Sequence, residues 1–261
     1  TWTAHWDLVL RRPAAAVPAA STTELLDLPD GMHDPATGEY LPEATRDTNR
    51  VLIAGYYGHR NLGDEAILHV MLEELRRLLP NVAVTGASGT PDATRATYDV
   101  AAVHERAVPA LVDAVRASDL VIVGGGGLFH DYQGVDEATV LSRGHWGLTY
   151  FAAFPLLATL FRKPLLLSAL GVGPLLSEAG RRYPRLAFDR ADAASVRDPA
   201  SHALLGSIGV DVSRVRLAAD PAFLLRAPSA DEGRAALARI GVPGVPGAPG
   251  VPGVPSRPVV V

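Results

Sequence analysis

Between residues 50 and 240, short apolar runs alternate with stretches in which apolar residues recur at helical spacing. The run Val51–Ala54 predicts a buried strand, and residues 64–79 place an apolar stripe on one face of a helix. Further strands are predicted at 82–85, 100–103, 119–123, 164–169, 193–196 and 214–218, with helices at 108–117, 178–190, 199–208 and 231–240. This alternation predicts an α/β fold, a Rossmann-like parallel sheet with helices on both faces.

The most apolar stretch, residues 146–161, is followed directly by Arg162, Lys163 and Pro164. Its 16 residues fall short of the roughly 20 that a helix needs to cross a bilayer. We therefore expect a buried helix here and no transmembrane segment.

The segments outside the predicted domain, which spans residues 49–240, have a different character. Residues 1–48 lack sustained periodicity and are rich in turn-forming residues, which predicts an irregular N-terminal arm. Residues 241–257 repeat glycine and proline, as is typical of a stiff linker. The apolar residues 258–261 resemble the start of a strand, so we expect them to open a second domain that is missing from this chain.

Composition narrows the range of functions. The formal net charge of −4 provides no basic face for nucleic acid, so no nucleic-acid partner is expected. The chain has no cysteine, which excludes disulfides, thiolate metal sites and cysteine nucleophiles, and fits a reducing cytoplasm. Lys163 is the sole lysine, so a cation that holds a phosphate or carboxylate is expected to be an arginine. We expect neither a metal site nor a cofactor.

The turn after the first predicted strand leads into a helix, where backbone N–H groups and the helix dipole attract an anion. Gly58 and Gly63 allow close approach of the backbone to a ligand, and Asn61 with Asp64 could cap the helix. The alternative is a plain capped turn in which Asp64 and Glu65 only favour the dipole. The glycine spacing differs from that of dinucleotide-binding proteins, which argues against a NAD-dependent dehydrogenase.

Four consecutive glycines follow another predicted strand. Because they cost conformational entropy and leave no side chains to pack, we expect unusual backbone angles or close approach to a ligand at Gly125, Gly126 and Gly127. His130 and Asp131 come next and could form an acid–base pair. A flexible connection with an incidental histidine is the alternative.

Charged residues or glycines follow three later strands as well. Arg197 could bind a carboxylate or phosphate through two parallel hydrogen bonds, or could form a surface pair with Asp198. Asp220 could orient a hydroxyl or make a turn, and Gly173 belongs to a further glycine-rich strand end. Because ligands of parallel sheets bind at the carboxyl ends of strands, these turns together predict a phosphate- or sugar-binding protein.

Taken together, these segments resemble the polysaccharide pyruvyl transferase family over about residues 51–225. The most specific stretch is Gly-Tyr-Tyr-Gly-x-x-Asn-x-Gly-Asp-Glu-Ala-Ile-Leu, from Gly55 to Leu68. Other matching segments follow in the family's order: Gly124–Leu128, Gly171–Leu175, Arg197–Asp198, Gly209–Val210 and Ala219–Phe223. The resemblance implies two Rossmann-like halves arranged as in GT-B glycosyltransferases, with this chain forming the N-terminal half.

The resemblance also implies transfer of a pyruvyl group from phosphoenolpyruvate to a sugar of a cell-envelope polysaccharide or its precursor, as a cyclic ketal. The catalytic residues would include Arg197, which holds the donor, and Asp64 or Glu65, which activates or positions a sugar hydroxyl. Substrate contacts are expected at Gly58, Asn61, Gly63, Gly125, Gly126, Gly127, His130, Asp131, Gly173 and Asp220. Relatives often carry glutamine in place of His130, so acceptor contacts are expected to differ there.

The resemblance places the catalytic acid, a histidine, in the second half, so we expect this chain alone to be inactive. The implied partner is a sugar or glycan-precursor acceptor, and the implied location is the cytoplasm, at the inner face of the membrane. Two other functions stay open. A GT-B glycosyltransferase that uses a nucleotide sugar fits the fold but fits the Gly55–Leu68 motif less well, and a non-catalytic binding module would keep the glycine turns without chemistry.

Overall fold

A computed structural model describes residues 49–226 and 228–242. The strands are β1 (Arg50–Ala54), β2 (Ala83–Ser88), β3 (Ala101–His104), β4 (Leu120–Gly124), β5 (Gly127–Phe129), β6 (Leu165–Val172), β7 (Ala193–Val196) and β8 (Val215–Leu217). The helices are α1 (Leu62–Leu78), α2 (Pro91–Tyr98), α3 (Val108–Ala117), α4 (Leu148–Leu160), α5 (Glu178–Arg190), α6 (Pro199–Ser207) and α7 (Ala230–Arg239). The predicted arm, all but the first two residues of the predicted linker, and residues 258–261 lie outside the described residues.

The strands form one parallel sheet in the order β3-β2-β1-β4-β6-β7-β8, and β5 pairs with the end of β6. Successive residues of β1 contribute to different apolar cores. Val51 and Ile53 pack with side chains of α1, whereas Leu52 and Ala54 belong to the core that contains α4. The predicted α/β fold with a doubly covered parallel sheet is thereby confirmed.

Helix α4 confirms the buried helix expected in the most apolar stretch. All its residues from Leu148 to Pro155 are buried, together with Leu157 and Ala158. A helix that is apolar on every side is stable only when other elements surround it. Within the described residues, no helix combines the length and the apolar character needed to cross a bilayer.

Among the α-helices and strands, two short elements, α2 and β5, are absent from the sequence-based prediction. Helix α2 buries only Thr94, so it has no apolar stripe that periodicity could detect. Strand β5 begins at Gly127, and glycine has a low strand propensity. Strand β6 also continues to Val172, beyond its predicted end at residue 169, through pairing with β5.

The chain divides into two compact units between Phe223 and Leu224. Within the second unit, α7 begins with a capping box. The Ser229 hydroxyl accepts from the N–H of Glu232, and the Glu232 carboxylate accepts from the N–H of Ser229. Helix α7 lies in this second unit, and the domain bounds of 49–240 stay a prediction.

Candidate active site

The carboxyl ends of β1, β4, β7 and β8 border a pocket of about 520 Å³. Its lining residues are Asn61, Gly63, Asp64, Ile67, Gly126, Gly127, Arg197, Asp220, Ala222 and Phe223. The strand order reverses between β1 and β4, and open parallel sheets bind ligands in the crevice at such a reversal. A smaller cavity of about 270 Å³ has Arg181 as its only charged lining residue and no carboxylate. The larger pocket is therefore the candidate active site.

Seven predicted site residues line this pocket: Asn61, Gly63, Asp64, Gly126, Gly127, Arg197 and Asp220. They come from four separate turns, which the sheet brings to one edge. Ile67, Ala222 and Phe223 line the pocket without having been predicted. Ile67 was assigned to the apolar stripe of α1, and the last two belong to the family-like segment that ends at Phe223, which was the available signal.

Arg197 provides the positive charge of the pocket. Its Nη1 donates to Oδ2 of Asp220 at 2.8 Å, and Oδ1 of Asp220 accepts from the backbone N–H of Ala222 at 3.0 Å. The alternative pairing of Arg197 with Asp198 is wrong, because Asp198 caps α6 and accepts from the N–H of Ser201 at 2.7 Å. Asp220 thus orients the guanidinium at the pocket.

Two glycines make room for this guanidinium. A β-carbon on Gly171 would lie 3.1 Å from Nε of Arg197, and one on Gly127 would lie 3.7 Å from its Nη2. The guanidinium therefore passes across the paired ends of β5 and β6. A larger residue at Gly171 would push it out of place.

Asp64 lies in the first turn of α1, half-buried at the pocket. No side chain or backbone group among the described residues donates a hydrogen bond to its carboxylate. Burial raises the pKa of Asp64 to about 6; Arg197 opposes the rise, and the negative charges of Glu65 and Asp220 add to it. Arg197 therefore offsets only part of the cost of holding a negative charge on Asp64.

Glu65, the next residue, has different surroundings and does not line the pocket. Its Oε1 accepts from the N–H of Gly58 at 2.8 Å, and its Oε2 accepts from the hydroxyl of Tyr98 at 2.7 Å. Of the two carboxylates predicted to act on a sugar hydroxyl, the structure brings only Asp64 to the pocket.

Asn61 is the N-cap of α1, as predicted, and its side chain accepts from the N–H of Gly63 at 3.0 Å. Gly125 and Gly126 have φ values of +76° and +82°, the kind of backbone expected in the glycine run, whereas Gly127 lies in β5 and is not among the glycines with positive φ. Gly125 packs closely on Ile67 without itself lining the pocket, and a β-carbon on Gly126 would lie 2.5 Å from Oδ1 of Asp64.

Six predicted residues lie away from the pocket lining: Gly58, Glu65, Gly125, His130, Asp131 and Gly173. Gly173 is in close contact with Leu204, where a β-carbon would lie 2.6 Å from Cδ2. His130 stacks on Tyr132 with ring centroids 4.1 Å apart, and its buried Nδ1 has no hydrogen-bond partner within the described part of the chain. Burial lowers the pKa of His130.

Asp131 is buried and connects two distant turns. Its carboxylate accepts hydrogen bonds from the N–H groups of Leu176 and Ser177 and from the Ser177 hydroxyl. Burial raises the pKa of Asp131, but these hydrogen bonds outweigh burial and hold it below the ordinary value. No hydrogen bond joins Asp131 to the His130 ring among the described residues, so the structure gives Asp131 a structural task and not the predicted acid–base partnership.

A family model described as Polysaccharide pyruvyl transferase matches residues 61–250, which is more than half of the chain. The chain belongs to this family. All residues that line the pocket fall within the matched range. In the part of the chain that the structure describes, no group of three or more His, Cys, Asp or Glu side chains is arranged to hold a metal ion.

Several solved structures are similar to this polysaccharide pyruvyl transferase family member at low sequence identity. HepE of Anabaena, in complex with UDP and glucose, is 11% identical with a TM-score of 0.47, over 74% of this chain and 50% of that chain. UDP-GlcNAc 2-epimerase from Neisseria meningitidis, bound to UDP-GlcNAc, is 15% identical with a TM-score of 0.41, over 66% of this chain and 47% of that chain. The chain thus spans about half the length of these proteins. A comparison with curated proteins gave no match.

Proposed function

We propose that the protein transfers a pyruvyl group from phosphoenolpyruvate to a sugar of a cell-envelope polysaccharide or its precursor, forming a cyclic ketal. The observation that carries the proposal is the pocket in which the Arg197 guanidinium and the Asp64 carboxylate come together, within the range of the family match. We place the reaction in the cytoplasm, at the inner face of the membrane, and the cysteine-free sequence fits a reducing compartment.

The proposed reaction consists of protonation of the donor, addition of two sugar hydroxyls to one carbon, and departure of phosphate. An acid protonates the methylene carbon of phosphoenolpyruvate, which leaves an oxocarbenium-like centre at the carbon that carries the phosphate. One sugar hydroxyl adds to that carbon and loses its proton to a base, and the C–O bond to phosphate then breaks. Departure of phosphate leaves a second oxocarbenium-like centre, to which another hydroxyl of the same sugar adds while its proton passes to the phosphate, so the products are the ketal and inorganic phosphate.

Arg197 is proposed to hold the donor, because its planar guanidinium matches the oxygens of a carboxylate or phosphate. The pocket lining has one guanidinium and two carboxylates, Asp64 and Asp220, and its own charges therefore do not balance an anionic donor. We propose that further cations, and the acid that protonates the donor, come from residues outside the described range. The resemblance assigns that acid to a histidine.

Asp64 is proposed to accept the proton of the attacking sugar hydroxyl. A pKa of about 6 leaves the carboxylate mostly ionised at neutral pH and brings its basicity close to the working pH, which favours general base catalysis. The carboxylate also has free acceptor positions, because no protein group described here donates to it. Asn61, on the same side of the pocket, is proposed to contact the acceptor.

The test is a turnover assay on the full-length gene product. Phosphate release from phosphoenolpyruvate is followed with and without a panel of nucleotide- and lipid-linked sugars. Release that depends on a sugar acceptor, and is lost when only the 261-residue chain is used, is the expected result. Transfer or hydrolysis of a nucleotide sugar, with no response to phosphoenolpyruvate, would replace this proposal with a glycosyltransferase.

A further inference from the structure

The first turn of α1 presents two adjacent carboxylates with unequal environments. Asp64 lines the pocket and receives no hydrogen bond from the described residues, whereas each oxygen of Glu65 accepts one. Glu65 does not line the pocket. A base has to lie within hydrogen-bond reach of the substrate hydroxyl, so Glu65 is poorly placed for that task. The two side chains are therefore suited to different tasks.

Glu65 connects α1 to two other segments. Its Oε1 accepts a hydrogen bond from the N–H of Gly58 in the turn after β1, and its Oε2 accepts one from the hydroxyl of Tyr98 at the end of α2. Tyr98 is itself fixed, since its carbonyl accepts from Nη2 of Arg76 at 2.6 Å. The carboxylate thus joins the turn, α1 and α2.

The same turn is held from its other side. The Thr90 hydroxyl donates to the carbonyl of Gly58 at 2.7 Å, and the N–H of Gly89 donates to the carbonyl of Tyr57 at 2.9 Å. Gly58 is therefore bonded at both its N–H and its carbonyl, and Glu65 supplies the bond to the N–H. Loss of Glu65 would free one side of the turn that precedes Asn61 and Asp64.

We infer that Glu65 is a positioning residue. It fixes the turn after β1 and makes the electrostatic potential at Asp64 more negative, and it takes no part in proton transfer. This inference rests on the proposed function for its consequence in turnover, although its structural content can be measured without any substrate.

The charged and titratable groups that face Asp64 are Arg197, Glu65, Asp220 and His59. Repulsion by the negative charge of Glu65 raises the pKa of Asp64, so neutral glutamine at position 65 should lower it. Burial, the largest contribution, is unaffected by that change, and the pKa should therefore stay above its ordinary value. Glutamine also keeps an oxygen for the N–H of Gly58 and an amide that can donate to the Tyr98 oxygen.

The first experiment measures the titration of Asp64 by carbon-13 NMR in the 261-residue chain with labelled aspartate, assigned by the loss of one signal in Asp64→Asn. We expect Glu65→Gln to shift the midpoint downward from about 6. The matched control is Glu73→Gln, an exposed glutamate on the same helix, which should leave the midpoint in place. An unchanged or higher midpoint in Glu65→Gln would overturn the inference.

The second experiment follows hydrogen exchange at the Gly58 amide. Glu65→Ala removes the acceptor, so exchange should accelerate at least about tenfold, whereas Glu65→Gln should keep most of the protection. Tyr98→Phe, which removes only one bond to the carboxylate, provides a milder variant in case Glu65→Ala does not fold. Equal protection in wild type and in all three variants would overturn the inference.

In the full-length protein, Glu65→Gln should move the acid limb of the turnover profile to lower pH while its plateau falls by less than about tenfold. A plateau loss beyond about a hundredfold, with Gly58 protection intact, would identify a catalytic carboxylate instead and overturn the inference. If the wild-type protein does not release phosphate from phosphoenolpyruvate, the proposed function fails, and the titration and exchange results still decide the role of Glu65.

Discussion

Two aspartates that follow glycine-rich strand ends have opposite environments. Asp131 is 3% exposed and accepts hydrogen bonds from three groups of Leu176 and Ser177, which together hold its pKa below the ordinary value. Asp64 is half-buried, receives no hydrogen bond from the described residues, and has a pKa raised to about 6 by burial. The charged form of the Asp131 carboxylate is stabilised, whereas the charged form of the Asp64 carboxylate is destabilised.

The difference indicates which acidic residue of a motif is available for chemistry. A carboxylate whose acceptor positions are filled by backbone N–H groups stabilises the fold and has little reason to take up a proton near neutral pH. A carboxylate that is desolvated beside an arginine, with free acceptor positions, can bind a hydroxyl and take its proton. The following predictions test this contrast between Asp64 and Asp131 and the role of Arg197 beside Asp64.

The largest effect is expected from Asp64→Asn on turnover. If Asp64 is the base, the full-length variant should lose about 10²- to 10⁴-fold in kcat, the usual contribution of a general base. The measurement is acceptor-dependent phosphate release from phosphoenolpyruvate. Asp92→Asn, whose side chain is 98% exposed on α2, is the control and should behave as wild type. A loss below about tenfold in Asp64→Asn would mean that another group accepts the proton.

Arg197→Ala should lower kcat/KM for phosphoenolpyruvate by about 10²- to 10³-fold, because the guanidinium is proposed to hold the donor's anionic groups. Arg197→Lys should recover only part of this loss, since an ammonium lacks the planar pair of donors. Arg143→Ala, at an exposed position, serves as the control. Unchanged donor kinetics in Arg197→Ala would contradict the role assigned to this residue.

Asp131→Ala should destabilise the chain by about 1–3 kcal/mol, since it leaves the part-buried N–H groups of Leu176 and Ser177 without their acceptor. Urea unfolding at pH 7 measures this, with Asp113→Ala, 76% exposed on α3, as the control. Asp64→Asn should change stability in the opposite direction, by at most about 1 kcal/mol after allowance for solvent screening. Equal destabilisation by both variants would remove the contrast.

The pH dependence of these two contributions should also have opposite signs. The folded pKa of Asp131 is lowered, so its stabilising contribution is present above the unfolded pKa of about 3.9 and is lost as pH falls through the folded pKa. The folded pKa of Asp64 is raised, so its contribution is present below about 3.9 and is lost as pH rises towards 6. Unfolding free energies from pH 3 to 8, in wild type and both variants, separate the two.

The smallest effect concerns Gly126→Ala, with Gly134→Ala as its matched control. Both glycines have φ near +80°, at +82° and +83°, so both variants should lose about 1 kcal/mol of stability to backbone strain. Only at Gly126 would the new β-carbon meet Asp64, because nothing lies within 4 Å at Gly134. Turnover should therefore fall about tenfold further in Gly126→Ala. Equal turnover in the two variants would argue against crowding at Asp64.

Local patterns predicted much of the fold and the position of the pocket. Helical periodicity and the N-cap at Asn61 located α1, apolar runs located most strands, and strand ends placed Asp64 and Arg197 at one edge. These features depend on residues close together in sequence or on the general rule for parallel sheets. The short α2 escaped detection because it buries too little apolar surface.

The roles of individual polar side chains were not predictable in the same way. Asp131 is bonded to groups 45 and 46 residues away, Glu65 to Tyr98 33 residues away, and Arg197 to Asp220 23 residues away. In each case the partner is chosen by the tertiary fold, and for Asp131 and Arg197 the sequence offered a closer candidate, His130 and Asp198 respectively. Motif position therefore identified the right edge of the sheet but did not show which carboxylates are held by hydrogen bonds and which have free acceptor positions.

The most direct test of the proposed role of this pocket is a mass measurement of the acceptor after incubation with phosphoenolpyruvate and full-length protein, in wild type and in Asp64→Asn. The expected result is a sugar that carries a pyruvyl ketal in the wild-type reaction and at least about a hundredfold less of it with Asp64→Asn. Equal amounts of ketal from the two proteins would contradict the assignment of pyruvyl transfer to the pocket around Asp64 and Arg197.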